Sequence, residues 1–438
     1  MDLLPLLACL APCLDSTTLR RLTHVVAAML SMTGRVTMLG LSRWTGKGGS
    51  YRTVQRFFNT AIPWEQAQWF LIRRHLRTVP GAVLLTGDEV VTAKAGRDTH
   101  GLGRFFSSIH GKPIPGLCHL CLSLVPVSER VSHPVMTLPV KPPEKVPAAP
   151  APPPDPPQKR SRGRPKGSRN RVRREVELTA QQSFLRDAIQ SLLALVGNEL
   201  ALAYFVYDGA LGHNAGVQLT RQCGLHLISK LRHDSALYLP HDGPYPGRGP
   251  RRKYGPRLDY GRLPAHCLRD SAVEGDIRTD TYHVAARHRK FADPINVVVL
   301  VKTHLKTAQS ARVLLFSSDP DLAWNDLVDY YSLRFQIEFN FRDAKQFWGL
   351  DDFMSVNERP AVNAANFALF MVNVSHLLRR QPQFAGMSVL DLKAWYRADK
   401  YVRETLKCLP QIPEPISIDA IVRQVASLGR INTPETMA

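Results

Sequence analysis

The chain is poor in the features that mark secreted, membrane-spanning or zinc-ribbon proteins. It has seven cysteines in 438 residues, scattered and odd in number. That excludes a disulfide framework and fits a reducing cytoplasm. Cys118 and Cys121 form a CxxC, but no second pair follows at zinc-ribbon spacing. They sit in Leu117–Val127, an apolar run that reads as a strand, so burial is their expected role. No stretch reaches the roughly 18 apolar residues of a transmembrane helix, and no membrane partner is expected. The N-terminus, MDLLPLLACLAPCL, is apolar but carries Asp2, no basic n-region, and Pro5 and Pro12. A packed helix or arm is expected there, not a signal peptide. There is no internal repeat.

Acidic residues are also scarce. Asp and Glu number 37 against 57 Lys and Arg, a formal net charge of +20. That excess points to a polyanionic partner, DNA or RNA first. Hydrophobic residues make up 44% of the chain, enough for a large core in two or three domains.

Part of the basic excess is concentrated. Residues 139–158 hold ten of the 33 prolines, which reads as an extended, exposed linker. Lys159–Arg174 follows with nine Lys or Arg in sixteen residues and no acid. Its centre, Arg162-Gly163-Arg164-Pro165-Lys166-Gly167, looks like an AT-hook, whose arginines use the negative potential of a narrow minor groove. A non-specific phosphate-binding tether fits the same residues.

Residues 1–80 read as a small helical domain. Asp15, Ser16 or Thr17 is the expected cap of a helix over Asp15–Met32. In residues 41–64 a Gly-rich turn at Gly46–Gly49 separates two helical pieces. Ser50 caps the second, which carries Arg52, Gln55 and Arg56 on its polar side. A helix-turn-helix has this layout, with its second helix offered to a DNA groove. A plain helical bundle with a basic surface fits equally.

From Gly81 the pattern becomes strand-like. Ala82–Thr86 reads as a short strand ending at Gly87-Asp88, followed by Thr92, Lys94 and a Gly-rich loop. Arg104–Ser108 and Ile114–Val127 read as further strands. After the linker come a helix over Glu177–Leu195 and a buried strand over Ala201–Tyr207, again ending in a carboxylate, Asp208. Leu225–Leu231, Asp276–Tyr282, Pro294–Lys302 and Ala311–Phe316 read as strands. Val362–Leu378 is an apolar helix, and Ser388 caps another over Val389–Lys400 in a capping box with Asp391. The last twenty or so residues read as loosely ordered.

The stretch that organises the chain is Tyr331–Lys345, YSLRFQIEFNFRDAK. On one helix, Tyr331, Arg334, Glu338 and Lys345 project at roughly 0°, 300°, 340° and 320°. Leu333, Ile337, Phe341, Ala344 and Trp348 project at about 200–280°, a core-packing stripe. A lone carboxylate among cations on a helix is ordinarily a solvated ion-pair face. Asp88 and Asp208 change that weighting. Two strand-end carboxylates and a third from a packed helix make an oxygen-rich site for two Mg²⁺ ions, with Mn²⁺ as a substitute. Such a pair activates an attacking oxygen and stabilises the leaving one at a phosphodiester.

The spacing Tyr331-x2-Arg334-x3-Glu338-x6-Lys345 resembles the Y-R-E-K signature of DDE transposases from bacterial insertion sequences, in the cut-and-paste subgroup that works through a hairpin on the transposon end. The Asp88 segment TGDEVVTAKAG and the Asp208 segment VYDGALG look like that family's first two acidic motifs. The resemblance implies an α/β, RNase H-like catalytic core with a β-strand insertion, plus a helical N-terminal DNA-binding domain and a helical C-terminal region. It divides the chain into 1–80, 81–240 (with the linker at 139–176), 241–318, 319–380 and 381–438. It implies Asp88, Asp208 and Glu338 as catalytic metal ligands, with Tyr331, Arg334 and Lys345 gripping DNA phosphates. Arg52, Arg56, Arg162, Arg164 and Lys166 are the further DNA-binding candidates. Transposon ends and target DNA are the implied partners, and a homodimer pairing two ends, in a bacterial cytoplasm near the nucleoid, is the implied state. In some relatives a Trp of the insertion receives a flipped base. No Trp falls in 240–316, and Tyr245, Tyr254 and Tyr260 are the aromatic candidates. A non-catalytic, repurposed DNA-binding protein and a simple RNase H-type nuclease are the alternatives.

The AT-hook reading is testable. If the core at 162–167 docks in minor grooves, A·T-rich duplexes compete for the protein better than G·C-rich ones at fixed salt. Equal affinity would leave only the phosphate tether.

Overall fold

A computed structural model describes residues 3–46, 48–107, 110–142, 172–245, 247–409 and 417–428. Most of the Pro-rich and basic linker, residues 143–171 with Arg162, Arg164 and Lys166, lies outside these residues. The first helices are α1 (Leu4–Leu7), α2 (Ser16–Ser31), α3 (Met38–Trp44), α4 (Tyr51–Asn59) and α5 (Trp64–Leu76). Strands β1 (Val83–Ala93), β2 (Gly103–Ser107), β3 (Lys112–Pro126) and β4 (His133–Val140) follow, then α6 (Ala180–Val196) and β5 (Tyr204–Val206). Next come α7 (Asn214–Gln222), β6 (His226–Leu231), β7 (Leu237–Pro240), β8 (Tyr254–Arg257), β9 (Leu268–Glu274), β10 (Ile277–His288), β11 (Ile295–His304) and β12 (Ser310–Ser317). The chain closes with α8 (Trp324–Leu333), α9 (Gln336–Trp348), α10 (Glu358–Arg379), α11 (Val389–Lys407) and α12 (Ile418–Ser427). Two compact units share them: Met1–Val140, Asp187–Tyr207 and Asp329–Ala438 form the first, Lys141–Arg186 and Asp208–Val328 the second.

The first unit is a mixed sheet with helices around it. Its strand order is β4-β3-β1-β5, with β1, β3 and β4 antiparallel and β5 parallel to β1. β3 is the long spine. Gly116 to Pro126 pairs with β1 on one edge, while β2 and then β4 occupy the other. Leu117 to Pro126 is buried on both faces, as a strand covered by other layers must be. Cys118 and Cys121 are therefore interior residues, and burial pushes both thiols up, away from the thiolate form that metals and redox chemistry need.

The N-terminal helices belong to this unit, and no division between units falls near residue 80. Asp15 caps α2 by accepting from the Thr17 and Thr18 amides, and Ser50 caps α4. α4 buries Val54, Phe57 and Phe58 and leaves Arg52, Gln55 and Arg56 exposed. Asn363 of α10 donates to the carbonyls of Phe58 and Thr60 and accepts from Trp64 Nε1 at 2.8 Å. α10 is the one helix among the described residues long and apolar enough to cross a membrane, contrary to the expectation from the sequence, but most of it is buried as a core helix. The capping box of Ser388 and Asp391 starts α11 as expected. Lys393 and Arg397 of α11 donate to the Met29 and Ser31 carbonyls at the end of α2, where helix carbonyls lack internal partners.

The second unit is an antiparallel sheet in the order β6-β12-β11-β10-β7-β8, with β9 also paired to β10. This is the strand-rich region expected between Leu231 and the key helix. β9 escaped notice because all its side chains are exposed and lack an alternating apolar face, and β7 and β8 because four residues are too few to show a period.

Three further expectations need correction. β4 is a full strand that runs to Val140, so the linker cannot begin at 139. A helix, α12, stands at Ile418–Ser427, where loose structure was expected. The stretch Tyr331–Lys345 is not one helix but the end of α8 and most of α9, separated at Arg334 and Phe335.

The polar clamp at Asn363 yields a stability prediction. Asn363→Leu strands two carbonyls and an indole N–H in a buried site. We expect a loss of at least about 2 kcal/mol, with the urea midpoint falling and the slope unchanged. A loss below about 0.5 kcal/mol would mean that the three groups find other partners.

Candidate active site

Asp88 sits where β1 loses one of its two neighbours. The parallel pairing with β5 ends at Thr86 and Val206, whereas the antiparallel pairing with β3 continues to Ala93. The expected strand end is thus true of one edge only, and Asp88 lies inside β1, opposite Cys121. Gly87 precedes it because space is lacking: a Cβ there would lie 3.0–3.1 Å from Leu122, Phe205 and Tyr207. Asp88 Oδ1 accepts from the Glu89 amide at 2.8 Å.

The turn between α8 and α9 brings a second carboxylate to the same place. The amides of Arg334, Phe335, Ile337 and Glu338 each bond to the carbonyl three residues back, not four. That tightens the chain into a 3₁₀-type step and divides the helix. The core stripe survives it, because Leu333, Ile337, Phe341, Ala344 and Trp348 are all buried. Glu338 falls in the first turn of α9, where the helix dipole favours an anion. At the other end a left-handed Gly349, with φ of 75°, stops α9. A Cβ there would collide with Val36 at 2.4 Å.

Arg334 joins the two acids. Its Nη1 donates to Asp88 Oδ2 at 2.9 Å and its Nη2 to Glu338 Oε1 at 3.1 Å. The side chains of Arg334, Asp88 and Glu338 are 16%, 23% and 43% exposed. Burial opposes the guanidinium charge, but Asp88, Tyr331 and Glu338 outweigh it and raise the Arg334 pKa. Arg334 Nε has no partner among the described residues. Lys345 Nζ donates to the Val91 carbonyl at 2.8 Å, three residues beyond Asp88 on β1. Lys94 turns inward and donates to the Asp351 carbonyl at 2.8 Å, fastening the segment after α9 to β1. Asp88, Tyr331, Arg334, Glu338 and Lys345 therefore assemble in one unit, although Asp88 is 246 residues from Arg334.

Asp208 belongs to the second unit. It follows β5 by two residues and caps a 3₁₀ turn at Gly209–Leu211, accepting from the Ala210 amide at 2.9 Å. Its own carbonyl accepts from Ser229 Oγ at 2.6 Å. In the same unit Tyr245 is exposed, Tyr254 Oη accepts from Arg173, and Tyr260 Oη donates to the Ser235 carbonyl.

Two residues escaped the sequence reading. Phe335 and Phe339 are 49% and 37% exposed, with rings edge to face at 5.2 Å, and the Arg342 guanidinium lies 4.8 Å over Phe339. The signal was present: on the same wheel they fall at about 40° and 80°, far from the buried stripe. Apolar rings beside a polar site offer faces on which bases can stack.

A family model described as DDE superfamily endonuclease matches residues 9–290. The match includes Asp88 and Asp208 and ends before Tyr331. No curated protein matches the chain.

The shared guanidinium makes a prediction. Arg334→Gln leaves Asp88 and Glu338 without their common counter-charge. In EDTA the variant is expected to lose about 1–2 kcal/mol, a figure discounted for the exposure of Glu338. Mg²⁺ is expected to stabilise the variant more than the wild type. Thermal unfolding with and without Mg²⁺ checks this, and an equal response of both proteins would refute a shared cation position.

Proposed function

The chain belongs to the DDE superfamily endonucleases, and from that premise we propose that it is a DNA transposase. As a family member it is a transposase-like nuclease with DNA as its substrate. The proposal goes further. The protein binds the inverted repeats at transposon ends, cuts them with Mg²⁺ and joins the freed 3′ hydroxyl to target DNA. The observation that carries it is the bond from Arg334 to both Asp88 and Glu338. It joins the first acidic motif to the Y-R-E-K stretch. The strand order β4-β3-β1-β5, with the fourth strand parallel to the first, supports an RNase H-like core.

The donor chemistry suits a hard divalent cation. Asp88 and Glu338 offer carboxylate oxygens at 2.9 and 3.1 Å from one guanidinium, so a positive charge already stands between them. Asp208 is the third proposed ligand. It is proposed from the likeness of its segment VYDGALG to the second acidic motif, and the family match covers it. Bound Mg²⁺ or Mn²⁺ supplies charge at the scissile phosphodiester and favours an oxygen nucleophile.

The side chains have separable tasks. Tyr331, Arg334 and Lys345 hold phosphates of the transposon end in line for attack. Arg334 suits this because its planar fork matches a phosphate as well as a carboxylate. Phe335 and Phe339 stack on bases beside the cut. The exposed Arg52 and Arg56 bind flanking DNA, and Arg162, Arg164 and Lys166 extend that contact. In the hairpin route Tyr245 is the best placed of the three tyrosines to receive a flipped base, because it is exposed. A homodimer pairs the two ends, in a bacterial cytoplasm.

Cleavage of DNA carrying the element's own ends tests the reading. Wild type with Mg²⁺ is expected to cut at the ends. Glu338→Gln keeps the size, loses the charge, and is expected to bind equally while cutting at least about a hundredfold more slowly. If both proteins bind and neither cuts with any divalent metal, the chain is a DNA-organising protein. If wild type cuts but no 3′ end appears in target DNA, it is a nuclease only.

A further inference from the structure

A second cluster of potential metal-binding side chains lies in the first unit and shares no residue with the acidic set. His75 is in the last turn of α5, Glu129 in the turn between β3 and β4, and His133 at the start of β4. One ligand atom from each lies within 4.8 Å of the others. His75 Nε2 and Glu129 Oε2 are 2.9 Å apart. His133 is completely buried.

The hydrogen bonds around His133 determine which ring nitrogen has a free lone pair. Asn373 of α10 uses its amide nitrogen twice, donating to Gln68 Oε1 at 2.8 Å and to the Pro134 carbonyl at 2.7 Å. Its oxygen therefore faces His133 Nδ1, at 3.3 Å. An oxygen only accepts, so Nδ1 carries the proton and Nε2 presents its lone pair. Nε2 is buried and has no partner among the described residues. A buried neutral imidazole whose N–H is tied to a carbonyl is the usual arrangement behind a metal-bound histidine.

Glu129 is held by two partners, His75 and Arg380. Arg380 binds both its oxygens, at 2.9 and 2.5 Å. This orients the carboxylate from behind, as outer partners of metal ligands do.

We propose that His75, Glu129 and His133 form a Zn²⁺-class metal site distinct from the Asp-Asp-Glu set. Two imidazoles and one carboxylate suit Zn²⁺ and its borderline neighbours and do not suit Mg²⁺, which prefers oxygen alone. The ion ties the end of α5 to the β3–β4 turn and, through Asn373, to α10. Its role is structural, since no acid of the proposed active site contributes to it.

Metal uptake by the full-length, untagged protein tests this. Chelator-stripped protein is dialysed against Zn²⁺ in the presence of excess Mg²⁺, and bound zinc is measured. Wild type and Glu338→Gln are expected to take up one Zn²⁺ per chain at this site, with a rise in unfolding temperature. A change at fully buried His133 endangers the fold, so the primary variants are His75→Gln and Glu129→Gln, both at partly exposed positions. Each is expected to bind Zn²⁺ at least about tenfold more weakly while keeping its circular dichroism spectrum. Three outcomes overturn the proposal: no uptake by wild type, unchanged uptake in His75→Gln, or loss of uptake in Glu338→Gln. The last would assign the zinc to the acidic set.

Discussion

The candidate site depends on one largely buried guanidinium. A charge placed mostly out of water must be paired or it costs several kcal/mol. Arg334 meets that requirement with two carboxylates, one from a central strand and one from a helix far along the chain. The same bonds keep Asp88 and Glu338 from repelling each other when no metal is present. Nearby elements follow from this. β1 must lose its β5 partner before Asp88 so that the carboxylate has an open side. The α8–α9 helix must turn tightly at Arg334 so that Glu338 starts a new helix.

Buried amides of α10 tie the helical part of the first unit together. α10 reads as a membrane-grade apolar helix, yet Asn363, Asn366 and Asn373 interrupt its surface. Each donates to a backbone carbonyl of another element: Phe58 and Thr60, Thr137, and Pro134. Buried amides of this kind cost stability unless every donor is matched, and when matched they specify one packing. They explain why the N-terminal helices are part of the core. Asn363 takes up the carbonyls that α4 leaves at its end, and Asn373 fixes Gln68 of α5.

Much of this was legible in the sequence, but unevenly. The caps at Asp15, Ser50 and Ser388 were visible because a cap is a local event, one side chain on amides two or three residues away. The stripe from Leu333 to Trp348 was visible because burial imposes a period. The break at Arg334 was not, since no Pro or Gly marks it. A tightened turn without such residues is chosen by tertiary contacts, here the pull of Asp88 and Glu338 on the guanidinium. β9 was missed for the opposite reason: an exposed strand owes its pairing to a neighbour and leaves no apolar alternation behind. The place of His133 was also hidden. Its meaning depends on Asn373, 240 residues away, whose amide orientation only the fold determines.

The two clusters differ in donor type. Asp88 on a central strand and Glu338 on a helix are partly exposed carboxylates joined by one guanidinium. His133 is buried completely, whereas His75 and Glu129 keep some exposure. Each carboxylate has a counter-charge, Arg334 for Asp88 and Glu338 and Arg380 for Glu129, while Nε2 of His133 has no partner among the described residues. Charge pairing and burial thus distinguish the partly exposed carboxylates joined by Arg334 from the mostly buried histidine–glutamate cluster.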